Sequence, residues 1–121
     1  MAHVYVLLAV DVQAALLNGI AGNVQLVDSR KHTGDAVTAL HPGDSIAWRI
    51  APLQPGKTVA IEGFAGAAVA DQVIAPERTE GKPYWHSRVG QESGSHPYTV
   101  ALQLEGKPFS FDATLQVKHK H

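Results

Sequence analysis

The sequence predicts an all-β fold: a two-layer antiparallel β-sandwich of about seven to nine strands with one short helical connector. Three observations predict it. Turn residues recur at regular spacing, apolar and polar residues alternate with period two between them, and only one stretch has helical character. The turns are Pro42-Gly43, Pro55-Gly56, Glu80-Gly81, Ser93-Gly94 and Glu105-Gly106. Each supplies a preset φ or access to positive φ, and most lie about 12 residues apart, the rhythm of a sandwich or barrel.

Taken in order, His3 to Val10 is apolar on both faces, which predicts an interior strand covered on two sides. Val12-Gln13-Ala14-Ala15-Leu16-Leu17 has good helix propensity and Asn18-Gly19 closes it, so the helical connector falls here. Asn23 to Asp28 predicts the next strand. Ile46, Trp48 and Ile50 alternate with Ser45, Ala47 and Arg49, and Val59 and Ile61 alternate with Thr58, Ala60 and Glu62. Pro52 and Pro55 flank Leu53 and Gln54 and make that segment a loop or an edge. Val69 to Ala75 and Tyr84 to Val89 predict two further strands, with Trp85 as a core or edge anchor. The clearest pattern comes last. Tyr98, Val100, Leu102 and Leu104, then Phe109, Phe111, Ala113, Leu115 and Val117, form the dry side of a hairpin whose other side is polar.

The 121 residues suit one domain spanning 1–121. A chain near this length buries roughly 65–70% of its unfolded surface, enough for a core without staples. Charged residues make up only 17% and hydrophobic ones 45%. This low charge points to a surface covered by a partner such as another copy of the chain; the plainer alternative is a small Ala- and Gly-rich domain with a quiet surface. The formal net charge is -1, and Arg30, Lys31, Arg49 and Arg88 form no basic run, so nucleic acid is not an expected partner. The absence of cysteine excludes disulfides, zinc–thiolate sites and iron–sulfur clusters, and it fits a cytoplasmic location. Val4 to Val10 is apolar, but no Lys or Arg precedes it and Asp11 interrupts it. Neither a signal peptide nor a membrane span is expected.

Catalytic and metal chemistry finds little support. Ser93 and Ser95 near His96 lack a nucleophile elbow, and a polar hairpin loop over Gln91 to His96 explains them better. Of the seven histidines, only His119 and His121 are closely spaced. They read as a solvated tail, and no metal site is expected. His3 could join a copper chelate at the amino terminus only if Met1 were retained. Pro42-Gly43-Asp44-Ser45-Ile46-Ala47-Trp48 is similar to the turn and strand of blue-copper domains, but that chemistry needs a Cys thiolate. Gly63-Phe64-Ala65-Gly66-Ala67-Ala68 lacks the Lys and Ser/Thr of a phosphate loop and predicts a bend where two backbones approach closely. Asp28 and Asp112 show no sign of converging. Asp28-Ser29-Arg30-Lys31-His32 is the densest polar cluster, read as a solvated loop ahead of a binding loop.

A further set of residues resembles a known family. These are Leu8-Ala9-Val10-Asp11, then Gly22-Asn23-Val24-Gln25-Leu26-Val27-Asp28, then Gly43-Asp44-Ser45-Ile46 with Trp48. Ile61-Glu62-Gly63-Phe64, Tyr98-Thr99-Val100 and Phe109-Ser110-Phe111-Asp112 follow. Together they resemble the bacterial AidA/PixA family of inclusion-body proteins over most of the chain. The resemblance implies a cytoplasmic protein able to accumulate in inclusions, with no agreed biochemical activity and no catalytic residues to carry over. It also implies structural roles for Trp48, Phe64 and Phe111. One Met and no Cys do not fit storage of sulfur amino acids.

The function expected is a non-catalytic structural or interaction protein that self-associates or docks a partner, needs no cofactor and forms a homo-oligomer. The rival is a small-ligand module for a carbohydrate or an apolar metabolite, with Tyr84, Trp85 and His86 as its binding residues. An enzyme is the third class, with His86, His96 and Asp112 as its titratable groups.

Overall fold

The computed structural model describes residues 3–28, 36–82 and 84–118. Among these the strands are β1 (His3–Val10), β2 (Val24–Asp28), β3 (Val37–Leu40), β4 (Ser45–Pro52), β5 (Val59–Ala65), β6 (Glu77–Arg78), β7 (Trp85–Arg88), β8 (Gly94–Leu104) and β9 (Lys107–Val117). The helices are α1 (Val12–Asn18) and α2 (Ala67–Ala70). The strands form two sheets, ordered β2-β1-β4-β7-β6 and β3-β9-β8-β5. The all-β sandwich is thus the observed fold. Its pairing is not antiparallel throughout: β1 runs parallel to β4, and β3 runs parallel to β9. Parallel neighbours need a crossover, and here the chain leaves one sheet for the other between the paired strands.

The longest pairing is the β8–β9 hairpin, in register from Gly94↔Val117 to Leu104↔Lys107. Its loop is Glu105-Gly106, with φ of 51° and 80°. Two successive positive φ values match the right-handed twist of the flanking strands, which is why a glycine follows the glutamate. Tyr98, Val100, Leu102, Leu104, Ala113, Leu115 and Val117 are buried on the inner side, as the alternation predicts.

The sheets meet over an aromatic cluster. Trp48 is 0% exposed, and its ring lies 4.6 Å from Phe64 and 6.0 Å from Tyr98. Its Nε1–H donates to the Tyr98 hydroxyl at 3.2 Å, which satisfies two polar groups that would otherwise be stranded. Burial pushes the Tyr98 phenol up to about 12, against a lowering by that same bond. Phe64 reaches the interior because β5 bulges between Ile61 and Gly63. Without the extra residue, strict alternation would turn Phe64 outward.

Helix α1 caps one end of the sandwich. The Asp11 carboxylate accepts from the Ala14 N–H at 3.1 Å and from Gln54 Nε2 at 2.7 Å. Gln54 Oε1 in turn accepts from the Val12 N–H at 2.9 Å, so the Pro52–Pro55 loop is tied to the first turn of the helix.

Three expectations need correction. Val69 to Ala75 is not a strand: α2 and a turn occupy it, and the Ala68 carbonyl accepts from both Val73 and Ile74 N–H. Its β-branched residues reach the core from a turn, without a partner strand. With α2 there are two short helices among the described residues, where one was expected. Finally, β1 is an interior strand but is covered on one face only. Val4, Val6, Leu8 and Val10 are buried, whereas Tyr5 is 60% and Leu7 38% exposed. The close approach expected around Gly63–Ala68 is present at Gly66, where φ is +101° and a Cβ would sit 3.0 Å from the Tyr98 Cα.

Candidate functional site

The outer face of the five-stranded sheet carries the candidate site. In register, Tyr5 is the Cα partner of Ala47, Ala47 of His86, and His86 of Glu77. Cα partners in a ladder share a face, so a methyl group lies between a phenol and an imidazole. The small side chain leaves a cleft of about 450 Å³ above Ala47. One step along the strands, His3, Ser45 and Arg88 form the next row. Tyr84 and Thr79 close the far wall.

Hydrogen bonds hold part of this wall. Thr79 Oγ1 lies 2.6 Å from His86 Nδ1, and the Thr79 N–H donates to the Tyr84 carbonyl at 3.0 Å. The first contact orients the His86 ring, and Nε2 takes no hydrogen bond from the described residues. Arg88 is exposed and forms no ion pair with a described residue. Among the described residues, no Asp or Glu lines this cleft. Glu77 lines the neighbouring depression, with Gln72, Ala75 and Gly90, on the other side of His86.

The structure divides the three residues expected to bind a ligand. Tyr84 and His86 line the cleft together. Trp85 turns inward: its Nε1–H donates to the Ile61 carbonyl at 3.2 Å, and its ring lies 5.4 Å from Phe64. Alternation along β7 requires this split, because consecutive residues face opposite sides. Tyr5, Ala47, Thr79 and Arg88 also line it and were not expected as binding residues. Their signal was indirect: a tyrosine in a strand that is apolar on both faces, and an alanine in the middle of an otherwise bulky one.

The trio considered for an enzyme is not assembled. His86 faces outward from one sheet and Asp112 outward from the other, where Thr99 Oγ1 donates to Asp112 Oδ1 at 2.7 Å. His96 is buried in β8, and its Nε2–H donates to the Glu92 carbonyl at 3.0 Å. β8 begins at Gly94, so Ser95 and His96 belong to a strand where a hairpin loop was expected. Asp28 is buried in β2, far in the topology from Asp112 on β9. Among the described residues, no group of three or more His, Asp or Glu could hold a metal ion, and no helix is long and apolar enough to cross a membrane. His119, His121 and the cluster from Ser29 to His32 lie outside the described residues.

Comparison with solved structures finds the same fold in the inclusion body protein PixA from Burkholderia cenocepacia J2315. The TM-score is 0.66 at 13% identity, with 97% of this chain and 96% of that chain covered. The resemblance to AidA/PixA proteins therefore holds at the level of fold. An endo-fucoidan hydrolase of glycoside hydrolase family 107 matches at TM-score 0.42 and 9% identity, covering 72% of this chain and 13% of that one. A cysteine protease inhibitor from Entamoeba histolytica matches at TM-score 0.31 and 15% identity, covering 69% and 87%. These two are too distant to bear on function. No curated protein matches by sequence. Residues 2–110 match the model of a domain of unknown function (DUF8788), and the chain belongs to that family.

Proposed function

We propose that the protein is a non-catalytic assembly module that packs copies of itself together through the β2–β1–β4 part of the outer face. One observation carries this reading: β1 is apolar on both faces, and among the described residues only one of them is buried, while Tyr5 and Leu7 on the other are exposed. Leu7 is 38% exposed and is the Cα partner of both Val27 and Arg49. The outward residues of the three strands are Gln25 and Val27, then His3, Tyr5, Leu7 and Ala9, then Ser45, Ala47, Arg49 and Ala51. Among them Arg49 is the only Lys, Arg, Asp or Glu. An apolar, nearly uncharged sheet face is the kind of surface that protein contact covers. A second copy is the occupant that the fold neighbour favours, because that neighbour is an inclusion body protein. The formal net charge of -1 leaves little repulsion between copies. The lack of cysteine supports the cytoplasm as the setting. The separation of His86, His96 and Asp112 supports the absence of catalysis.

Size-exclusion chromatography with light scattering tests the proposal. The wild-type chain should run as a dimer or larger species at high concentration, and Leu7→Glu should run as a folded monomer. A wild-type chain that stays monomeric at millimolar concentration would overturn it.

A further inference from the structure

We propose that the cleft above Ala47 is a binding site for a small carboxylate-bearing ring compound, a sugar acid or an aromatic acid. This goes beyond self-association; the cleft shares His3, Tyr5, Ser45 and Ala47 with the packing face, so ligand and second copy compete for them, and the monomeric variant is needed to tell the two apart.

Shape, charge and orientation support the site independently. A cleft of about 450 Å³ falls within the usual range for small-ligand sites. Its floor is the Ala47 methyl group, and Tyr5, Tyr84 and His86 stand around it, so a flat ring can lie against the sheet between aromatic walls. Among the described residues, the cationic or protonatable side chains of the lining are Arg88, His86 and His3, and no carboxylate opposes them within it. The Arg88 guanidinium lacks an ion-pair partner among the described residues. Ala47 and Ser45, the Cα partner of Arg88, are two residues apart on β4, a separation of about 7 Å. A ring over Ala47 can therefore present its carboxylate to the Arg88 fork, where two parallel charge-assisted hydrogen bonds are available. His86, oriented by Thr79, offers Nε2 to a ring hydroxyl or to the same carboxylate. Glu77 would repel such an anion, but it sits beyond the His86 strand and lines the next depression.

The test is a titration of the full chain followed by two-dimensional amide NMR. Sodium benzoate and sodium glucuronate are the probes, with benzyl alcohol and glucose as their neutral counterparts. At least one acid should give saturable shifts centred on Ser45–Ala47 and His86–Arg88, and its neutral counterpart should bind at least about tenfold more weakly. The acid that binds identifies the source, sugar or aromatic. Arg88→Gln should weaken binding by about tenfold, and Ala47→Leu, which fills the floor, should abolish it. Both positions face outward, so the fold survives either change. Repeating the titration on Leu7→Glu separates ligand binding from contact between copies. The proposal is overturned if neither acid gives saturable shifts, if a neutral counterpart binds as tightly as its acid, if Arg88→Gln binds as wild-type does, or if Glu77→Gln abolishes binding.

Discussion

The two outward faces of this sandwich are built from the same alternation and end up with different chemistry. On the β8–β9 face, Ser95 is opposite Gln116 and Thr99 is opposite Asp112. Each pair is joined by a hydrogen bond, at 2.6 Å and 2.7 Å. On the β2–β1–β4 face, the corresponding positions hold Val27, Leu7, Tyr5 and Ala47, which offer area rather than paired polar groups. Both faces are poor in charge, so net charge does not distinguish them. The difference lies in whether neighbouring side chains satisfy one another. A face that does so needs only water outside it, whereas an apolar face gains from being covered.

The contrast can be broken most severely from below. Trp48→Ala removes the ring that joins the two layers, and it should cost about 3–5 kcal/mol in urea unfolding, degrading both faces together. A loss under about 1 kcal/mol would mean that the layers do not depend on this contact.

A smaller effect should come from alkali, through the strand beneath the polar face. The Tyr98 phenol is raised to about 12, so the unfolded chain ionises first. The stability linked to this group is complete below pH 10 and is lost as pH rises through 12. The total is roughly 2–3 kcal/mol, from about 1.4 kcal/mol per unit. Unfolding free energy measured against pH should fall across that window, and Tyr98→Phe should flatten the fall.

Next in size is an exchange of character between the faces. Thr99→Val with Asp112→Val removes a cross-strand polar pair from the surface. Stability should change by about 1 kcal/mol or less, while light scattering should detect association through a face that was previously inert. No gain in association would show that apolar character alone does not make a face adhesive. Ser95→Ala should have the smallest effect, a few tenths of a kcal/mol in thermal unfolding, because that pair is exposed.

Much of the architecture was legible in local pattern. Strands β4, β5, β8 and β9 follow from alternation, β1 from a run apolar on both faces, α1 from propensity and the Asn18-Gly19 stop, and the β8–β9 turn from Glu105-Gly106. The failure at Val69–Ala75 has a physical cause. Val69, Val73 and Ile74 are β-branched and reach the core, as strand residues would, but the preceding Gly66 crosses so close to Tyr98 that the chain turns into α2. The candidate site was legible only in part. Tyr84 and His86 were found because they cluster in sequence; Tyr5 and Ala47 reach them through register between strands distant in the chain.

By itself, the sequence determined which side of β4, β8 and β9 would be dry, where the chain reverses, and that thiolate chemistry is closed to it. Those properties depend on neighbours one to four residues apart. Tertiary structure alone decided that β1 lies beside β4, that its second apolar face is left outward, and that a methyl group separates a phenol from an imidazole above the sheet. Pairing between remote strands sets those relations. Period-two alternation assigns a residue to a face but leaves open which strand will be its neighbour.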